Sequence, residues 1–226
     1  MQREYKRDGF FCFAPQDSVT QEIRCLKPGE SGINTICRVL EVATKKIRGK
    51  EGQQKVVLTG VIADHTAKLP FVSWQHARVV QNSVVQIENA YVKRWKGLPT
   101  LYIGRNTYLQ EQDIEFPGYA ELSKPKKRTL KDIAGCGGAF DVMVEGDVVS
   151  SAAKGNRWVL DDGTGAVFMD IGEASGVDIS FGTPVKTRGD VVEESDYEYV
   201  LIAEKVKVIG DELVIRALRQ FLSRYT

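Results

Sequence analysis

Two tryptophans in this chain stand beside basic residues in strand-forming contexts. The run from Lys68 to Trp74 puts Leu69 and Phe71 on one face, so period-two alternation sends Trp74 to the other, away from a core. Trp95 falls in Lys93-Arg94-Trp95-Lys96-Gly97, read as a charged turn between two strand-like runs, where an indole flanked by three cations has no apolar surroundings to enter. Exposed indoles amid positive charge suit stacking on unpaired bases; packing against the N-terminal segment or another domain is the plainer alternative. Tyr91 and Tyr102 have outward parity on neighbouring strands and either extend that surface or are ordinary exposed sheet tyrosines. The segment from Thr44 to Lys55 combines glycines with five cations, Lys45, Lys46, Arg48, Lys50 and Lys55, and is expected to contact phosphates. Arg38, Lys93, Arg94 and Lys96 are further candidates for that role.

Catalytic chemistry finds no comparable cluster. His65 and His76 are the only histidines, and no Cys or Ser motif gives either a nucleophile to activate, so the chain reads as a non-enzyme without cofactor or metal. The run Asp161-Asp162-Gly163-Thr164-Gly165 invites a metal reading, but Asp and Gly in a hairpin-like position suit turn chemistry better. Cys12, Cys25, Cys37 and Cys136 are scattered without metal or disulfide spacing and read as buried or inert thiols. No apolar run reaches the ~18 residues of a membrane span, and the first residues lack the apolar stretch of a secretory signal; a cytoplasmic location is expected.

The formal charge of +1 conceals a division. Residues 1–128 hold 21 Lys and Arg against 13 Asp and Glu, whereas residues 139–211 hold 6 against 15. Only the first half is expected to meet a polyanion directly.

The elements that must position these residues occur twice. Val61 to Phe71 and Val159 to Met169 share a strand–turn–strand pattern offset by 98 residues, each preceded by a longer β-rich run and followed by two more strands. Five strands per half, with a short helix expected from Gln75 to Gln81 in the first, match the partly open Greek-key barrel known as the OB-fold. The predicted architecture is therefore all-β. An extension over 1–22 leads into a basic barrel over 23–116, a Pro- and Lys-rich linker over 117–134 that lets the halves reorient, an acidic barrel over 135–210, and an amphipathic C-terminal helix over 211–226.

Three segments carry a family resemblance. Gly29 to Asn34, Ala63 through Trp74 and Tyr91 to Gly104 resemble the first-strand, third-strand and fourth-to-fifth-strand motifs of replication protein A-type single-stranded DNA-binding proteins, particularly archaeal ones. The likeness is good over residues 29–108 and weak over 135–210; His65 and Ala67 depart from the usual turn. It implies that Trp74 and Trp95 stack on bases. Laying residue 64 on residue 162 puts Gly172 where Trp74 stands, and the acidic run Glu193-Glu194-Ser195-Asp196 where Trp95 and its cations lie. The second domain is thus expected to repel phosphates.

The expected function is binding of single-stranded DNA with little sequence preference, in replication, repair or recombination. The rivals are a protein-interaction subunit of a larger single-strand-binding assembly and an RNA-binding OB module. Val214, Leu218, Phe221, Leu222 and Tyr225 recur at helical spacing, with Asp211 at the expected cap. Their stripe and the resemblance imply assembly, as a homo-oligomer or with other single-strand-binding subunits; packing back onto the chain's own barrel is the alternative.

Overall fold

The computed structural model describes residues 19–48, 54–74, 79–151, 157–172, 177, 179–195 and 198–210. It is mostly β. In the first half the strands are β1 (Ser31–Arg48), β2 (Gln54–Ala63), β3 (Lys68–Ser73), β4 (Val84–Trp95) and β5 (Leu98–Ile103). Strand β1 pairs antiparallel with β2 and β4, β2 with β3, and β4 with β5, while β3 and β5 run parallel. The cycle β1-β2-β3-β5-β4 closes on itself, which is an OB-like barrel. Alternation fills it as expected: Leu69 and Phe71 of β3 point inward with Ile33, Cys37, Ile62, Ile87, Val92 and Leu101. Gly60 is required by close approach, because a Cβ there would lie 1.9 Å from the Glu41 carbonyl oxygen.

The second half supplies β8 (Ala139–Ser151), β9 (Arg157–Asp161), β10 (Ala166–Asp170), β11 (Pro184–Ser195) and β12 (Glu198–Val208). They pair in the corresponding order, with β10 and β12 as the one parallel pair among them and β11 returning to β8. Val144, Val148, Leu160, Met169, Val185 and Leu201 fill this second core, and Trp158 packs half-buried against it.

The internal repeat extends to atomic detail. Asp64 Oδ1 accepts from the backbone N–H groups of Thr66 and Ala67 and from the Thr66 hydroxyl, while Asp64 Oδ2 accepts from Ile23 N–H at 2.8 Å. Asp162 does the same with Thr164, Gly165 and Leu130, the last at 2.7 Å. Each hairpin turn thereby fastens the segment that leads into its own half, at the short 3-10 turn Ile23–Cys25 and at α2 (Leu130–Gly135). Burial opposes the ionised form of Asp162, yet these hydrogen bonds win and hold its pKa below the usual value. The Asp-x-Thr pattern is thus satisfied by turn chemistry.

Several elements differ from expectation. Of the helix foreseen from Gln75 to Gln81, residues 75–78 lie outside the described residues, and 79–81 are coil and turn. An additional strand, β6 (Tyr108–Glu111), pairs with β4 beside its pairing with β1. The segment expected as a linker is itself folded. It holds α1 (Tyr119–Leu122), the two-residue strand β7 (Lys126–Lys127) paired with β8, and α2, whose Thr129 caps it by accepting from Asp132 N–H at 3.3 Å. Leu122 is fully buried with Leu40, Val61 and Ala63 from the first half, and Phe140 of β8 packs on them.

Charged groups cross the same seam. Lys68, at the start of β3, pairs with Phe140 in the ladder and donates its ammonium to Asp141 and to the Ser123 carbonyl. Arg188 completes the cluster with two bonds to Asp141, which stands at φ 44°, a left-handed conformation Asp tolerates. Desolvation pushes the Asp141 pKa up, but the bonds from Arg188 and Lys68 outweigh it and the net shift is downward. A hydrophobic cluster and a buried ion network join the halves, instead of a tether that would let them reorient. Residues 1–18 and the expected C-terminal helix, 211–226, lie outside the described residues.

Candidate nucleic-acid interface

A cleft of about 550 Å3 opens on the outer face of β2, β3 and β5. Its floor is apolar, with Val57, Val61, Pro70, Val72 and Leu98 among the lining side chains. Trp74 and Trp95 both line it. Trp74 is 43% exposed and Trp95 47% exposed, so each indole keeps a free face while its other atoms contact protein. Trp74 directly follows β3 and is fixed there by its N–H, which donates to Ile103 O at 3.3 Å.

Trp95 is the last residue of β4, paired with Leu98, and not part of the turn. The turn is Lys96-Gly97 alone, with φ of 52° and 80°. Positive φ at both central residues is the primed hairpin geometry that matches strand twist, and Gly at the second position makes it accessible. The tight turn places the Lys96 side chain at the cleft beside Trp95. Lys45 enters from β1; Glu41 is the acidic residue among the lining groups. Phe140 lines the cleft from the second half. No signal in its own neighbourhood marked it, because its position depends on the ladder contact between β8 and β3.

The other cations and aromatics divide. Lys46 is exposed on the opposite parity of β1 from Lys45. The backbones of Arg48 and Lys55 lie in the arm formed by β1 and β2, whereas Lys50 lies outside the described residues. Tyr91 and Tyr102 stack on each other, with centroids 5.3 Å apart and planes 14° apart. Tyr102 is buried against Val57 and Val72, beneath the cleft floor, and this burial raises its pKa, with Tyr91 adding to the shift. It supports the floor and offers no free face. Tyr91 lines a separate cleft of about 220 Å3 with Arg105, and the Lys93 ammonium sits 5.1 Å from the Tyr91 ring centroid.

Two arginines foreseen as phosphate contacts are committed elsewhere. Arg38 donates to the carbonyls of Pro117, Asn82 and Phe116 and to the Asn82 side chain, fastening the start of the folded linker to β1. Arg94 pairs with Glu193 of β11 and donates to Gly137 O at 2.5 Å. Bonding groups spent on protein carbonyls and a carboxylate are not free for phosphate. The acidic run of the second half changes character accordingly. Glu193, Glu194 and Ser195 belong to β11, Glu193 meets Arg94, and Glu194 takes a bidentate pair from Arg157 at 2.7 and 2.9 Å.

No family model matches the chain. The single-stranded DNA binding protein Ssb of Saccharolobus solfataricus is 27% identical over 124 residues, which is 53% of this chain and 83% of that protein. Among solved structures, the OB domain of Ta0387 from Thermoplasma acidophilum is 24% identical, covering 44% of this chain and 92% of that one with a TM-score of 0.40. A replication protein A heterotrimer bound to single-stranded DNA is 12% identical, covering 90% of this chain and 55% of that one with a TM-score of 0.38. No helix among the described residues is long and apolar enough to cross a membrane. In its motifs, and in its alignment with Ssb, the chain resembles the replication protein A-type single-stranded DNA-binding proteins of archaea.

Proposed function

We propose that this protein binds single-stranded DNA, with little sequence preference, in the cleft that carries Trp74 and Trp95. One observation carries the reading: two half-exposed indoles converge on an apolar cleft that also receives Lys45 and Lys96. Every base offers a π-face, so stacking is sequence-tolerant, and lysines add phosphate attraction that salt screens. In this reading the further cations of the sequence between β1 and β2, Lys46, Arg48, Lys50 and Lys55, add attraction for phosphates. The resemblance to Ssb supports the same ligand. In this reading the chain is a tandem pair of OB-folds, binding and not catalytic, acting in replication, repair or recombination. The first barrel holds the strand and the second serves it structurally, with the 211–226 segment assembling subunits.

The test is quenching of intrinsic fluorescence by oligo-dT, oligo-rU and duplex DNA at two salt concentrations. Strong quenching by oligo-dT, weaker binding of duplex, and loss of affinity with salt are expected. Equal binding of duplex and oligo-dT would sink the single-strand reading, and preference for oligo-rU would favour the RNA alternative. Light scattering on the full chain and on a chain ending at Gly210 tests assembly, with a monomer in both cases ruling it out.

A further inference from the structure

We propose that Glu193, in the half of the chain where Gly172 replaces a stacking aromatic, is a positioning residue that sets Trp95 for base stacking. The inference rests on the reading of the cleft given above. Three contacts from the second half hold the Trp95 hairpin. Glu193 N–H donates to Gly97 O at 3.1 Å, the Glu193 carboxylate receives the Arg94 guanidinium, and Arg94 reaches on to Gly137 O at 2.5 Å. The surfaces meet so closely that a Cβ on Gly97 would lie 2.7 Å from Glu193 O, and one on Gly138 would lie 3.1 Å from Pro99 Cδ. The residues on both sides of Trp95 in the hairpin, Arg94 and Gly97, are thus fixed by β11, while the indole itself stays at the cleft.

A two-residue hairpin tip is a poor anchor by itself, and ordering an aromatic at the moment of binding weakens affinity. The ion pair is largely shielded from water, with the side chains 30% and 16% exposed, so salt screens it less than a surface pair. This gives the acidic half a use in binding that does not involve touching the ligand.

The sign of one substitution separates positioning from simple electrostatics. Removing an acid near a polyanion site strengthens binding if only charge matters. Releasing Trp95 weakens it. In the full chain, Glu193→Gln is expected to weaken oligo-dT binding about five- to tenfold. The loss should disappear in a Trp95→Ala background, persist in a Trp74→Ala background, and be restored by exchanging the pair as Arg94→Glu with Glu193→Arg. With Trp74 and Trp158 changed to Phe, Trp95 is the remaining tryptophan of three, and its anisotropy should fall in the Glu193→Gln protein. Thermal melts establish that each variant is folded at the assay temperature. Unchanged or tighter binding by Glu193→Gln, or losses additive with Trp95→Ala, would overturn the positioning role and leave the cleft reading intact. Normal binding by Trp95→Ala and Trp74→Ala alike would remove the cleft reading, and this inference with it.

Discussion

Replacing Trp74 by Ala should separate binding from folding. The indole is 43% exposed and follows the last residue of β3, whose inward positions are filled by Leu69 and Phe71. Its main-chain bond to Ile103 O does not depend on the side chain. Stability should therefore change far less than the ~3–5 kcal/mol of a fully buried tryptophan, on the order of 1 kcal/mol for the contacts its half-buried face loses. Binding should weaken by roughly 1–3 kcal/mol for the stacked base, which is about five- to 150-fold in Kd. Trp95→Ala should behave alike. Trp158→Ala removes a side chain packed on the second core and should lower the melting temperature with little direct effect on affinity. Anisotropy of a labelled oligo-dT at constant salt gives Kd, and thermal unfolding gives stability on the same samples. A Trp74→Ala protein that melts early yet binds with normal affinity would refute the assignment of this indole to the ligand face.

Gly60→Ala should destabilise severely or prevent folding, because its Cβ has no room beside the Glu41 carbonyl; a normal melt would refute that packing. Asp141→Asn keeps the shape and tolerates the positive φ but leaves Lys68 buried without its carboxylate, so a loss of ~3–5 kcal/mol is expected by denaturant titration. The Asp141 pKa is lowered in the fold, so its stabilisation is present above the unfolded-state carboxylate pKa and is lost as pH falls through the folded-state value. Acid unfolding of the wild-type chain should show this contribution and that of Asp141→Asn should lack it. Thiol reagents should label Cys25, which is exposed, and spare Cys37 until denaturant is added, since burial raises its pKa and denies access; mass spectrometry of native and unfolded samples reads both sites.

The amino-acid sequence by itself determined most of the strands and the exposure of the two tryptophans, because both rest on local rules. Alternation around Leu69 and Phe71 and the turn chemistry of Asp64 and Asp162 act over a few residues, and they are visible wherever they occur. The strand–turn–strand pattern that recurs after 98 residues was likewise legible from local sequence alone. The sequence could also mark which segments were basic, but not which cations stay free. Arg38 is spent on carbonyls 78 and 79 residues away, and Arg94 on Glu193 in the other half. The supposed tether is likewise a folded seam, since Leu122 meets Leu40 and Val61, distant in sequence, in one buried cluster. Phe140 reaches the cleft, and Tyr102 sinks beneath it, for the same reason: both outcomes depend on which surfaces the tertiary fold brings together. Hydrogen bonds and ion pairs are short-range in space without regard to chain separation, so the final allotment of charges and aromatics was decided by tertiary structure alone.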